Sequence, residues 1–238
     1  PGRERSLRRR HPWIFSGAVE RVSGQPGIGS TVRLVSNSRE FLAYAAYSPS
    51  SQIRLRAWSF DENEVINGAF MRERIARSIE LRRQLGLLNA DGACRLIFSE
   101  SDGLPGLIAD RYGEYVICQF LSAGAEFWRD VIVAALQELL SPRAIWERSD
   151  ASIRRKEGLD SRRGLLCGTA PSGPIEFTTG GIRQLVDLEH GQKTGGYLDQ
   201  SVNHARVAGY ASNGRVLDAY SYSGGFAIAA LLHGATEA

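Results

Sequence analysis

The chain has 238 residues, 43% of them apolar and 23% charged, with a formal net charge of +3. That balance fits a folded protein of two or three small domains and excludes a disordered chain, and no apolar run approaches the roughly 18–20 residues a membrane span needs. The three cysteines, Cys94, Cys118 and Cys167, are isolated, odd in number and without metal-ligand spacing, which excludes a disulfide framework and implies no metal site and a reducing, cytoplasmic setting.

The first sixteen residues hold Arg3, Arg5, Arg8, Arg9 and Arg10, then His11-Pro12-Trp13-Ile14-Phe15. Arginine grips phosphate in a forked manner that lysine cannot, so this end is a candidate nucleic-acid face. A coding bias toward arginine explains the same excess, since Lys156 and Lys193 are the only lysines. Trp13 is a candidate for stacking on a base, but an indole beside Ile14 and Phe15 favours a place in the core. Residues 31–35, 41–45 and 53–58 alternate apolar and polar in short runs separated by Asn, Ser and Pro, which predicts a small antiparallel β module ending near residue 65. Arg54 and Arg56 fall on the face opposite Ile53, Leu55 and Ala57 and are weaker nucleic-acid candidates.

A helix is expected over 68–86, with Met71, Ile75 and Ile79 on one side and Gly86 as its stop. Strands are expected near 95–98, 107–110 and 115–120, a helix over 125–140, a strand at 144–148, and a loop or hairpin over 158–174. A strand at 184–188 and a helix over 199–211 follow. Arg215–Ala219 reads as a buried strand feeding a final helix.

The last unit carries most of the chemistry. An acidic strand end at Asp218 and a turn at Ser223-Gly224-Gly225 precede a helix whose first N–H groups have no partner within it. Neither the G-x-G-x-x-G spacing of a dinucleotide site nor a P-loop lysine is present, so an oxidoreductase is a weak reading. A ligand with an amino group and a carboxylate suits the loop better; a plain strand–turn–helix is the bland alternative. Just upstream, residues 190–200 concentrate glycines and hydrogen-bonding side chains, as backbone wrapped around a ligand does. There His190 reads as a surface or capping residue, Asp199 as a helix cap, and Tyr197 as a cover for a flat base.

The motifs Gln192-Lys193-Thr194-Gly195, Tyr197-Leu198-Asp199-Gln200 and Ser221-Tyr222-Ser223-Gly224-Gly225-Phe226 resemble those of the class I methyltransferases that form 5-methylcytosine in 23S ribosomal RNA, the large-subunit methyltransferase I family. The Arg9-Arg10-His11-Pro12-Trp13-Ile14-Phe15 run resembles that family's N-terminal PUA domain, and Glu100 to Leu107, Asp110 to Gly113 and Arg155 to Leu159 match its middle. Gly196 and Ser201 depart from the pattern, standing where the family often has an aromatic residue and an arginine.

The resemblance implies an α+β N-terminal part, namely a PUA-like β module over 1–66 and a mixed α/β central domain over 67–184. The start of a Rossmann-like methyltransferase domain would follow over 185–238. It implies S-adenosylmethionine as cofactor, held by Lys193, Tyr197, Asp199, Gln200, Asp218, Tyr220, Ser223, Gly224, Gly225 and Phe226. It further implies 23S ribosomal RNA as partner, faced by Arg3, Arg8, Arg9, Arg10, His11 and Trp13, with no membrane partner and with a homodimer allowed. In that family a cysteine thiolate attacks cytosine C6 before methyl transfer to C5. Cys94, Cys118 and Cys167 do not match its position, so no catalytic residue is assigned here. The nucleophile is expected beyond Ala238 in a longer protein, and the isolated 185–238 unit is expected to expose apolar side chains. The competing reading is an RNA-binding protein with no chemistry.

Overall fold

The computed structural model describes residues 4–189, 191 and 193–238; Arg3, His190 and Gln192, to which the sequence reading gave places, lie outside them. The chain opens with a short helix, α1 (Arg5–Arg8), that lays Leu7 over a four-stranded antiparallel sheet. Its strands β1 (Trp13–Phe15), β2 (Thr31–Val35), β3 (Phe41–Tyr47) and β4 (Ile53–Ser59) run in the order β1-β4-β3-β2. Alternation places Ile14, Ala45 and Leu55 beneath Leu7 as a small core. Trp13 points the other way and is 37% exposed, which corrects its expected place in the core.

Helix α2 (Gly68–Gln84) begins where Asn67 accepts a 3.0 Å hydrogen bond from Phe70 N–H, and Gly86 turns the chain out of it at φ +68°. Met71, Ile75 and Ile79 recur at helical spacing on its buried face. They pack on a five-stranded sheet of β5 (Ala93–Phe98), β6 (Leu107–Tyr112), β7 (Tyr115–Phe120), β8 (Ala144–Ser149) and β9 (Arg162–Gly168), in that order. Helices α3 (Ala123–Phe127) and α4 (Arg129–Leu140) form the crossover that lets β7 and β8 run parallel; the other pairs are antiparallel. Strand β9 lies in the stretch expected as loop or hairpin. Two arginines and two positive-φ glycines mask its pattern, and as an edge strand it is only partly covered.

Both faces of this sheet are covered. Leu107, Val116, Cys118 and Ile145 face α2 and α4, while Tyr112, Tyr115, Ile117 and Trp146 face the hairpin β10 (Ile175–Thr179) and β11 (Ile182–Val186). Each fully buried Leu, Ile or Val side chain contributes about 1.5–3 kcal/mol. The short helix α5 (Ile153–Lys156) follows β8 and delivers Glu157 to the seam with the first sheet. There Gly124 of α3 meets Ala46 and Trp58 so closely that a Cβ would lie 2.4 Å from the Ala46 methyl.

Two helices close the described chain, α6 (Ser201–Ala208) and α7 (Gly225–Leu232), joined through Ala208, Ala229 and Ile182. The expected strand at Arg215–Ala219 does not form. Arg215 makes one isolated parallel bridge to Glu237, and Leu217 is 90% exposed. A buried parallel strand needs ladder partners, and the described residues supply one rung. As expected of this unit, Leu231 and Leu232 are exposed, as is Ile228 less fully, whereas Val216 is half-buried. Among the described residues no helix is long and apolar enough to cross a membrane, and no cluster of acidic, His and Cys side chains is arranged to hold a metal ion.

Candidate cofactor site

The loop before α7 is built under backbone constraint. Tyr220 and Tyr222 adopt φ +61° and +50°, and Gly224 follows at +71°. Side chains adopt this region rarely, so the surrounding contacts must hold the turn. Tyr222 donates a 3.0 Å hydrogen bond to the Gly195 carbonyl and meets Tyr197 edge-on at 5.4 Å. Asp218 accepts from Ala227 N–H at 3.1 Å, placing a carboxylate at the start of α7.

These segments surround a cavity of about 630 Å³. Of the residues expected at a cofactor, Tyr197, Gln200, Asp218, Tyr220, Ser223, Gly225 and Phe226 line it; Lys193, Asp199 and Gly224 do not. Lys193 instead sits 4.0 Å over the Tyr197 ring and 3.6 Å from Asp199. Partial burial works against the Asp199 carboxylate, but its own backbone N–H and Lys193 outweigh that and hold its pKa below the usual range. Gly224 shapes the turn behind the wall through its left-handed φ.

Sequence reasoning missed His204, Gln184, Ala219, Ser221 and Tyr222, which also line the cavity. Ala219, Ser221 and Tyr222 belong to the loop already singled out. His204 had no local signal: it comes from α6 and meets the Phe226 ring edge-on at 4.5 Å. Burial lowers its pKa from the ordinary 6.5, and the neighbouring Asp218 carboxylate opposes that only in part. The neutral imidazole is therefore favoured near pH 7.

The residues present suit a zwitterionic, cationic nucleoside. A carboxylate at Asp218 can take an ammonium, the start of α7 favours a carboxylate, and the three tyrosines offer flat apolar walls. The cavity lies within the roughly 300–1,000 Å³ of small-ligand sites.

Of the candidates at the other end, Arg8, Arg9, Arg10, His11 and Trp13 are all exposed, and Arg8 pairs with Glu40 at 2.7 Å. Trp13 Nε1 donates to Glu100 at 2.6 Å, and His11 accepts from Trp13 N–H at 3.2 Å. These residues lie together on α1, β1 and the turn between them. Arg56 is buried, paired with Glu157, and is thereby removed from the nucleic-acid candidates.

Two comparisons bear on the fold. Residues 1–60 match a PUA-like domain. Over 98% of its length the chain shares its fold with a putative SAM-dependent methyltransferase from Streptococcus mutans, at TM-score 0.80 and 23% identity, covering 59% of that chain. A putative methyltransferase complexed with SAH matches similarly, at TM-score 0.82 and 23% identity, with 98% and 58% covered. The architecture is thus mixed α/β with a PUA-like unit at its start, and its fold is shared with these two putative methyltransferases.

The sequence narrows this further. The chain is 45% identical over 236 residues to Ribosomal RNA large subunit methyltransferase I of Escherichia coli O139:H28 (strain E24377A / ETEC), covering 99% of this chain and 60% of that one. The protein of the same description from Shigella boydii serotype 4 (strain Sb227) matches with the same identity and coverage. The resemblance carried by the motifs therefore extends across nearly the whole chain, which spans about 60% of the length of these curated relatives.

Proposed function

We propose that this chain carries the RNA-facing and cofactor-binding parts of an S-adenosylmethionine-dependent methyltransferase that acts on C5 of a cytosine in 23S ribosomal RNA. The observation that carries the cofactor reading is the cavity at the start of α7, where Asp218, His204 and three tyrosines converge. The relatives' description as large-subunit ribosomal RNA methyltransferases supports the substrate class. Bound there, S-adenosylmethionine supplies an electrophilic methyl group on a sulfonium.

The chain's own residues bind and orient. Asp218 offers a carboxylate to the amino group, Gly225 and Phe226 present N–H groups of the α7 start, and Tyr197 and Tyr222 flank the flat part, with the fully exposed Tyr220 at its rim. Neutral His204 keeps positive charge away from the sulfonium. Lys193 and Asp199 hold the Tyr197 wall from behind, and Gly224 sets its turn. The exposed Arg8, Arg9 and Arg10, with Arg3 from the same run, neutralise RNA phosphates, and His11 and Trp13 extend that face. The nucleophile is not assigned to Cys94, Cys118 or Cys167. Burial pushes the Cys94 thiol up to about 11 and raises Cys118 further, opposite to the thiolate that attack requires. The division proposed from the sequence is 1–66, 67–184 and 185–238, of which the last limit falls inside strand β11.

Two measurements test the reading. Calorimetric titration with S-adenosylmethionine should show saturable binding that Asp218→Ala weakens, and unaltered affinity in that variant would sink the site assignment. Tritiated methyl transfer to 23S ribosomal RNA by the full-length protein, with nucleoside digestion, should yield 5-methylcytidine. RNA binding without transfer would favour the non-catalytic alternative.

A further inference from the structure

Strand β6 ends in a buried polar cluster that the cofactor cavity itself does not account for. Asp110, Tyr112 and Thr194 are each 0% exposed, although Thr194 is 84 residues from Asp110 in sequence. Thr194 donates its hydroxyl to Asp110 Oδ2 at 2.5 Å. The Tyr112 hydroxyl lies 3.3 Å from Thr194 Oγ1 and accepts from Gly196 N–H at 3.0 Å. Arg95 from β5 closes the other side of Asp110 with two hydrogen bonds of 2.8 and 2.9 Å. A second buried group on the same sheet acts on the preceding residues. Arg148, on β8, donates to the carbonyls of Leu188 and Gly191, each at 2.8 Å.

All these bonds converge on one irregular segment. It cannot hold its shape through a regular ladder, since Lys193 and Gly195 both have positive φ, at +54° and +137°. A Cβ at Gly195 would lie 2.1 Å from the Val186 methyl, so the backbone is pressed directly onto β11. The other edge of the segment faces the cavity: Tyr197 lines it, and the Gly195 carbonyl receives the Tyr222 hydroxyl.

From this geometry we infer that Asp110 and Tyr112 are positioning residues for the cofactor cavity, acting through Thr194 and Gly196 to set the wall formed by Tyr197 and Tyr222. The inference rests on the cofactor reading above. A carboxylate buried without its partners is costly, so the Asp110–Thr194 contact gives the segment one arrangement in place of several. Burial raises the Tyr112 phenol well above its ordinary pKa of 10.0, so it remains a neutral hydroxyl able to donate and accept. The central sheet thereby presents the cavity wall preformed, and ligand binding need not supply the ordering entropy.

The test uses the full-length protein and S-adenosylhomocysteine as probe, titrated calorimetrically, with thermal midpoints measured alongside. Thr194→Val keeps the side-chain shape and removes the hydroxyl; Thr194→Ser restores it; Tyr112→Phe removes the acceptor for Gly196 N–H together with the Tyr112 hydroxyl's contact to Thr194. Thr194→Val and Tyr112→Phe should each weaken binding about tenfold, while Thr194→Ser stays within about twofold of the unmodified protein. Rescue by serine separates positioning from general loss of stability. If Thr194→Val does not fold, Tyr112→Phe decides. Unmodified protein that binds, with Thr194→Val and Tyr112→Phe binding equally well, overturns the inference and leaves the cofactor reading standing. Thr194→Ser as weak as Thr194→Val also overturns it. Unmodified protein that does not bind overturns the cofactor reading and this inference together.

Discussion

Arg56 and Glu157, 101 residues apart in sequence, meet in a two-pronged ion pair with N–O distances of 2.8 and 2.9 Å. Both side chains are buried, and Ser48 and Ser51 donate to the same carboxylate at 2.8 and 2.6 Å. Arg56 belongs to the first sheet, while Glu157 follows α5 beside the central one. The pair therefore fixes the first sheet on the central one. Glu157→Gln leaves a buried guanidinium short of its counter-charge and should cost about 3 kcal/mol in urea unfolding. Burial opposes the Glu157 charge, but Arg56 with Ser51 and Ser48 outweighs it and holds the pKa below the ordinary 4.5. The folded state thus releases this proton more readily than the unfolded state. Its contribution is present above pH 4.5 and is lost as the pH falls through the depressed value. An unfolding series in acid should show that loss, and Glu157→Gln should flatten it.

His204 gives a second pH signature with the same sign. Its folded pKa lies below 6.5, so the unfolded state binds the extra proton first and stability declines as the pH drops below that value. Protonation also places a cation in the cavity wall. Affinity for the sulfonium cofactor should therefore fall more than affinity for uncharged-sulfur S-adenosylhomocysteine between about pH 8 and about pH 5.5. Parallel titrations with the two ligands check this, and His204→Gln should remove the difference.

Gly225 is required by close approach. A Cβ there would lie 2.4 Å from His204 Cε1, so Gly225→Ala must push the imidazole aside and break its contact with Phe226. Cofactor affinity should fall in Gly225→Ala, and His204→Ala in the same chain should relieve part of the loss. A double-mutant cycle should return a coupling of about 1 kcal/mol or more.

Thiol reactivity should be uneven. Cys94 and Cys118 are buried with raised pKa values, while Cys167 is half-buried and donates to Gln137 at 3.1 Å. Native protein treated with a chromogenic disulfide should modify Cys167 first, with the other two reacting at the rate of unfolding.

If the exposed arginines face RNA phosphates, replacing Arg9 and Arg10 with alanine should reduce the salt slope of RNA affinity by roughly 1–2, as loss of about two phosphate contacts requires. Filter binding across a salt series measures it. An unchanged slope would mean these side chains are merely solvated.

Elements with strong local patterns were legible in the sequence. The Met71, Ile75 and Ile79 spacing gave α2, and the alternation along β3 and β4 gave the first sheet. The alternation on β4 also misplaced Arg56, because a two-face pattern cannot reveal that a second unit covers the polar face. The glycine-dense loops marked the cavity wall at Tyr197, Tyr220 and Gly225. His204 was illegible there, and Asp110 stood in a matched motif without any sign of its contact with Thr194, since both depend on residues far apart in the chain. Arg215–Ala219 has the composition of a buried strand, but composition does not supply the neighbouring strands a ladder needs.

The lone bridge between Arg215 and Glu237 has a consequence for folding order. Val216 N–H reaches the Glu237 carbonyl at 2.9 Å, and Thr236 N–H reaches Gly214 at 2.8 Å, with α7 folded between the two segments. Joining parallel segments is slow because the loop must close before any rung is gained. Here the intervening chain is short and contains α7, so the closure that this rung requires is a small one. The cavity at the mouth of α7 thus sits beside the point where these two segments are held together.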